Sequence, residues 1–353
     1  MTSIKSRILT STGSLLFCFI IIEIFLRVAV AFDLGGLRTP GIFSNPLSQD
    51  IYWKTRLVWS DFAEAPLETF DSEFGWLPPA TADNPHSIIL AEGQTIDYAE
   101  PTVLFYGDSY VHALTEPENA IPQQMDALLD TPVQNLGVLG FGVGQIYLRL
   151  RKTAPEFEQP ILLFGILTFD LDRTVLNVRS GPKPRVYFDE AGEMQVANAP
   201  FDQQVDEWIA DHPPRMWSYF GRFLSRNFQL IQAARAGNAF EVEDRVEEKK
   251  AVNAQIIDHA AAHTEENGWP MALVIFYSRG EFDNDSWREP FLREVCQRHT
   301  CIDTKIALQE AVASSGRPVA DFYLDDGLHL NPAGNQLVAE YIVSEMEKLE
   351  LIR

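Results

Sequence analysis

The sequence predicts an α/β protein built on a parallel sheet with both faces covered, preceded by a single membrane-spanning helix. Three observations predict it. Short apolar runs alternate with stretches of helical periodicity, and a strand that is apolar at every position is one buried on both faces. Glycine and proline punctuate the runs, ending strands and opening helices. Near the N-terminus an apolar segment is long enough to cross a bilayer.

In chain order, Lys5 and Arg7 precede an apolar run from Ile8 to Phe32 that includes Leu15-Leu16-Phe17-Cys18-Phe19-Ile20-Ile21-Ile22. This predicts a transmembrane anchor over 8–32 behind a cytoplasmic tail of residues 1–7. The bulk of the chain then lies across the membrane, because flanking positive charge stays inside. Ala29-Val30-Ala31 is a poor cleavage site, so an uncleaved anchor is expected rather than a removed signal peptide. Glu23 and Arg27 share a helix face. Either the span ends near Arg27 and continues along the interface, or the pair meets a partner helix.

Residues 33–98 form an N-terminal extension rich in Pro, Gly, Ser and aromatic residues. Trp53, Trp59 and Trp76 favour packing over a loose stalk, and Phe74-Gly75-Trp76-Leu77-Pro78-Pro79 reads as a turn and an extended segment. The main domain follows over 99–353. Strands are expected at 102–106, 133–138, 160–168, 271–277 and 318–323. Helices are expected over 118–129, 145–151 and 332–349, the last with Pro332 in its first turn. From about 180 to 268 the alternation breaks, with Gly181-Pro182-Lys183-Pro184 and a charged run over 241–250. That stretch reads as an insertion of a small hairpin and helices.

Composition narrows the function. With 353 residues, 46% of them hydrophobic, a substantial core is affordable. Fifty acidic against 28 basic residues leave a net charge of −22. Such a surface repels phosphate backbones and argues against nucleic acid as a partner. Cys296 and Cys301 either bridge in an oxidising compartment or remain two ordinary thiols. No Cys/His spacing reads as a zinc site. Gly140, Gly142 and Gly144 fail as a dinucleotide loop, since Tyr147 stands where a third glycine belongs. No cofactor and no metal is expected. His259 and His263, four apart on a helix, are either a metal pair or part of a solvated face.

Two segments carry chemistry. Gly107-Asp108-Ser109 closes the first main-domain strand, and parallel sheets bind ligands at the carboxyl ends of their strands. Ser109 there projects its hydroxyl into the crevice, beside backbone N–H groups that can hold an oxyanion; alternatively Asp108 or Ser109 merely caps a helix. The second segment is Asp325-Asp326-Gly327-Leu328-His329-Leu330-Asn331-Pro332. His329 is a candidate base for the serine proton, and Asp326, three residues earlier, a candidate to fix its tautomer, with Asp325 as a substitute.

Together these segments resemble the blocks of the SGNH (GDSL-like) hydrolases: Gly107-Asp108-Ser109, then Asn135-Leu136-Gly137-Val138-Leu139-Gly140-Phe141-Gly142, and finally Asp326-Gly327-Leu328-His329. The resemblance covers roughly residues 100–350. It implies a flavodoxin-like three-layer α/β/α fold and metal-free ester or acyl-group chemistry. By it Ser109, Asp326 and His329 are catalytic, and the N–H groups of Ser109 and Gly140 form the oxyanion hole. The third block, usually Gly-x-Asn-Asp, departs: here Gly165-Ile166-Leu167-Thr168-Phe169-Asp170-Leu171-Asp172-Arg173 puts Phe169 where the Asn donor belongs, or rearranges the block around Asp170 and Asp172. Asp170, Arg173 and His112 are candidate pocket residues; Arg173 either pairs with Asp170 or neutralises a substrate carboxylate.

Glu23-Ile24-Phe25-Leu26-Arg27 and Asp71-Ser72-Glu73-Phe74-Gly75-Trp76 resemble features of a membrane-anchored branch of these proteins. That implies a bacterial inner-membrane, single-pass protein with a cytoplasmic N-terminus and a periplasmic or extracellular catalytic domain. The expected activity is an esterase removing acyl groups, acetyl first, from a cell-envelope glycan or a small ester. An O-acyltransferase using the same triad is one alternative. A non-catalytic glycan-binding or scaffold protein is another, prompted by Phe169.

Overall fold

The computed structural model describes residues 4–32, 34–37, 42–43, 69–96, 98, 102–179, 181–211, 216–235, 245–282 and 286–352. Trp53 and Trp59 lie outside them. The chain divides into two compact units: residues 1–64, 178–181 and 205–244, and residues 65–177, 182–204 and 245–353.

Helix α1 (Ile4–Ala31) comes first, then the antiparallel pair β1 (Thr69–Asp71) and β2 (Gly75–Leu77). Next are β3 (Val103–Gly107), α2 (Ser109–His112), α3 (Ile121–Asp126), β4 (Val133–Gly137), α4 (Val143–Thr153), β5 (Ile161–Leu167) and α5 (Asp170–Arg173). A hairpin of β6 (Arg185–Phe188) and β7 (Met194–Ala197) precedes α6 (Val205–Asp211), α7 (Tyr219–Arg235) and α8 (Val246–Glu266). The chain ends with β8 (Met271–Phe276), α9 (Arg279–Phe282), α10 (Arg288–Val295), β9 (Cys301–Asp303), α11 (Thr304–Ser315) and α12 (Pro332–Lys348).

Five strands form one parallel sheet in the order β4-β3-β5-β8-β9. Counted along the chain this is the 2-1-3-4-5 order of flavodoxin-like folds, whose crevice opens where the order reverses, between β3 and β5. Alternate strand side chains enter opposite cores. Leu104, Tyr106, Leu162, Phe164 and Leu273 pack with α4 and α8, through residues such as Ile146, Leu150, Ile256 and Ala260. Val103, Phe105, Leu163, Val274 and Phe276 pack with Ile121, Leu308, Val338 and Ile342 from α3, α11 and α12. The result is a three-layer α/β/α arrangement. It explains the uninterrupted apolar runs, since these strands meet a helical layer on each face.

Local chemistry starts the helices where they start. Asp303 caps α11 by accepting the Lys305 N–H, and Asn331 caps α12 by accepting that of Gly334 at 3.0 Å, with Pro332 in the first turn. Part of the N-terminal extension is packed: Phe74 and Trp76 join the core, and the Trp76 indole N–H donates to Leu139 O at 2.8 Å.

Several expectations change. Residues 318–323 are no strand: Val319–Phe322 is a 3-10 turn, and the fifth strand is Cys301–Asp303, paired with β8. In the misread run Phe322 and Tyr323 bury their rings from a loop, whereas the true edge strand is three residues long with one fully buried apolar side chain, Ile302. The helix expected over 118–129 shrinks to Ile121–Asp126 behind a separate 3-10 turn, because Ala120 is extended. The stretch 180–268 is divided: hairpin and α8 lie in the larger unit, α8 with its apolar face in the core. Cys296 and Cys301 form a disulfide. Helix α1 over Ser11–Ala31 is long and apolar enough to cross a membrane.

Candidate active site

Strand β3 delivers Ser109 to the reversal point of the sheet. The strand ends at Gly107, and Asp108 caps the one-turn helix α2 by accepting the Tyr110 N–H at 2.9 Å. This turn lies hard against the neighbouring strand. A Cβ on Gly137 would stand 2.1 Å from the His112 nitrogen, so no larger residue fits beneath the turn. Ser109 is 6% exposed.

The loop after the 3-10 turn brings the second segment to the serine. His329 Nε2 lies 2.9 Å from Ser109 Oγ, and His329 Nδ1 lies 2.6 Å from Asp326 Oδ2. An ionised carboxylate only accepts, so Nδ1 carries the proton and Nε2 presents its lone pair to the serine hydroxyl. Asp326 Oδ1 also accepts the N–H groups of Leu328 at 2.8 Å and His329 at 3.0 Å. Burial disfavours the charge, but these bonds from His329 and Leu328 outweigh it and hold the Asp326 carboxyl below its ordinary range. The loop folds back through Gly327, at φ +64°, where a Cβ would meet the Arg279 guanidinium at 2.8 Å. Asp326, not Asp325, bonds the His329 ring.

Behind the serine lies a buried ionic cluster. Arg173 Nη1 donates to Asp108 Oδ2 at 2.9 Å, Asp170 Oδ1 at 2.6 Å and Phe141 O at 3.1 Å. Asp170 and Arg173, expected to line a pocket, are 0% and 3% exposed. They instead tie together the ends of β3, β4 and β5, and Arg173 pairs with Asp170 rather than facing a substrate carboxylate. Asp172 turns elsewhere, to Lys249 Nζ at 2.7 Å and Arg288 Nε at 2.6 Å. Phe169 precedes α5, with the Arg288 guanidinium 4.9 Å above its ring. His112 stays beside the serine, its Nδ1 2.9 Å from Ala113 O, and burial lowers its pKa. Gly140 sits in the β4–α4 loop with φ +74°, next to Leu139, which Trp76 braces. The two helical histidines face separate rings, His259 against Phe188 and His263 against Trp269.

Sequence reasoning missed two supports. Asp108 was read as a cap or part of a motif, but it also anchors Arg173 from 65 positions away. Tyr110 holds both halves of the site: its hydroxyl contacts Tyr277 O at 2.8 Å and Leu328 O, while Tyr323 donates to the same Tyr277 oxygen at 2.9 Å. Their sequence signal is adjacency to Ser109.

The cluster makes stability pH-dependent. Burial, and next the Asp108 charge, push the Asp170 carboxyl well above its ordinary range, with Arg173 opposing. An acid whose pKa is raised on folding binds its proton more tightly in the folded state. Its contribution is therefore full below the unfolded value of about 3.9 and is lost as pH rises through the folded value. Asp170→Asn, which does not titrate, is expected to flatten this part of the profile. Urea midpoints measured from about pH 4 to pH 8 check it, and equal slopes in both proteins would contradict it.

No protein-family model and no curated protein matches the sequence. In structure the chain is similar to a lipolytic protein of the G-D-S-L family from Veillonella parvula, at 11% identity and a TM-score of 0.40, covering 70% of this chain and 100% of that one. It is also similar to a psychrotrophic esterase, EstA from Pseudoalteromonas, at 11% identity and a TM-score of 0.38, covering 71% of this chain and 98% of that one.

Proposed function

We propose that this protein is a serine esterase of the SGNH kind, anchored in a membrane by α1 and acting outside the cytoplasm on acyl groups, acetyl first, of an envelope glycan or small ester. The observation that carries the reading is the continuous chain Ser109 Oγ, His329, Asp326 at the carboxyl end of β3. Ser109 Oγ attacks the acyl carbonyl carbon while His329 Nε2 takes its proton. Asp326 keeps the imidazole in the required tautomer and stabilises the imidazolium that forms. The N–H groups of Ser109 and Gly140 receive the oxyanion. His329 returns the proton to the departing alcohol, and water then releases the acid from the acyl-enzyme.

The glycan substrate and the compartment rest on the resemblance of the Glu23–Arg27 and Asp71–Trp76 segments to the membrane-anchored branch. Lys5 and Arg7, in the first turn of α1 ahead of its apolar stretch, favour an inward N-terminus, and the Cys296–Cys301 disulfide suits an oxidising compartment. Phe169 supports a second reading, a non-catalytic glycan-binding protein, since removing one oxyanion donor typically costs about 10²–10³ in rate.

Full-length protein in detergent, given an O-acetylated envelope glycan and a free sugar acceptor, separates the readings. Free acetate marks the esterase, acetyl on the acceptor marks an acyltransferase with the same triad, and glycan binding without either product marks the binding protein. In the esterase, Asp326→Asn is expected to lower kcat/KM roughly 10⁴-fold through loss of the tautomer. Hydrolysis of p-nitrophenyl acetate reads this, and a change of only a few-fold would count against the assigned role.

A further inference from the structure

Helix α7 (Tyr219–Arg235) begins against the apolar helix α1. Glu23 of α1 accepts the Ser218 hydroxyl at 2.9 Å and the N–H groups of Tyr219 at 3.1 Å and Phe220 at 3.0 Å, besides Arg27 Nε at 2.8 Å. Arg27 donates to Trp217 O at 3.1 Å, and the rings of Phe19 and Phe220 lie 5.4 Å apart. Counted from Ser11 at 1.5 Å per residue, Glu23 lies about 18 Å along the span. The hydrocarbon layer is about 30 Å thick, so the first turn of α7 meets α1 at membrane depth. A carboxylate there persists when it is paired and hydrogen-bonded; Arg27 of α1 pairs its charge and the start of α7 supplies three further hydrogen bonds.

Beyond its first turn, α7 does not look like a helix meant for water. Trp217 just ahead of it is 93% exposed, and Leu224, Phe228 and Ile231 follow at helical spacing, 50%, 60% and 51% exposed. Its charged residues are Arg222, Arg226 and Arg235, with no acid among them, in a chain whose net charge is −22. An exposed apolar stripe with a tryptophan at one end, on a helix without acids, is the pattern of a helix lying in a membrane interface. Arg226 is buried, so the apolar stripe and Trp217 carry the membrane reading.

We propose that α7 is a second membrane contact: held at its start by Glu23, it lies in the interface with Leu224, Phe228 and Ile231 among the acyl chains. The inference rests on the reading of α1 as a membrane span. It makes the smaller unit a two-helix membrane foot rather than a single tether.

The test uses the full chain carrying Cys18→Ser, reconstituted in phosphatidylcholine vesicles containing a minority of phosphatidylglycerol. Nitroxide labels are placed singly at Leu224→Cys, Phe228→Cys and Ile231→Cys, with Ile20→Cys as the reference for α1 and Glu190→Cys as the reference for water. The α7 labels are expected to follow Ile20, accessible to oxygen and shielded from a water-soluble nickel chelate, with the opposite ratio at Glu190. If the α7 labels follow Glu190 while Ile20 stays shielded, α1 spans but α7 is solvated, and the inference alone fails. Shielding of the α7 labels from both reagents means that protein, such as a second copy, covers the stripe, and that also overturns it. Nickel access at Ile20 itself overturns both the anchor reading and the inference.

Discussion

Replacing Ser109 by alanine is expected to lower kcat/KM for p-nitrophenyl acetate by roughly 10⁴-fold or more while leaving the fold in place. The change removes one oxygen, whose neighbours are His329 Nε2 at 2.9 Å and Asp108 Oδ2 at 3.2 Å. Asp108 keeps its bonds from Tyr110 and Arg173, so no buried charge is orphaned. Stability should therefore move by no more than about 1 kcal/mol. Because the three groups act as one unit, adding His329→Ala to Ser109→Ala should cost little further activity. Steady-state rates beside urea unfolding curves check both halves. Substantial turnover in a folded Ser109→Ala protein would place the nucleophile elsewhere.

The largest stability effect is expected at Arg173. Arg173→Met leaves Asp108 and Asp170, 1% and 0% exposed, without their shared cation. Breaking a buried ion pair by removing one partner typically costs about 3–5 kcal/mol. Phe141 O also loses a donor, which loosens the loop that carries Gly140. Activity should consequently fall in Arg173→Met although the side chain touches no substrate. Adding Asp170→Asn to Arg173→Met should recover part of the lost stability, because a neutral amide beside Asp108 needs no cation. Urea midpoints of the four proteins of this cycle measure the coupling, and an Arg173→Met protein as stable as the parent would contradict the clamp.

What could be read from the sequence follows from how far apart the determining residues lie. Three of the four longer strands were legible because buried strands such as Val103–Gly107 leave continuous apolar runs; Val133–Gly137 is equally buried but carries Gln134 and Asn135. Cys301–Asp303 was not, since its place comes from pairing with β8 rather than from its own composition. The Ser109, Asp326 and His329 segments were legible because glycines and short spacings mark them locally. For Arg173 the pairing with Asp170 was legible as a helical spacing, but its other partners, Asp108 and Phe141, come from other strand ends. Glu23 shows the same limit. Its pairing with Arg27 is a helical spacing, but its bonds to Ser218, Tyr219 and Phe220 span 195 to 197 positions.

Covalent labelling by a fluorophosphonate probe tests the activated serine most directly. Full-length protein in detergent should be labelled at a single residue, Ser109, with labelling absent in Ser109→Ala and strongly slowed in Asp326→Asn. A folded wild-type protein that takes up no probe would contradict the esterase, and would leave Phe169, in place of an oxyanion donor, as the sign of a protein that binds its ligand without cleaving it.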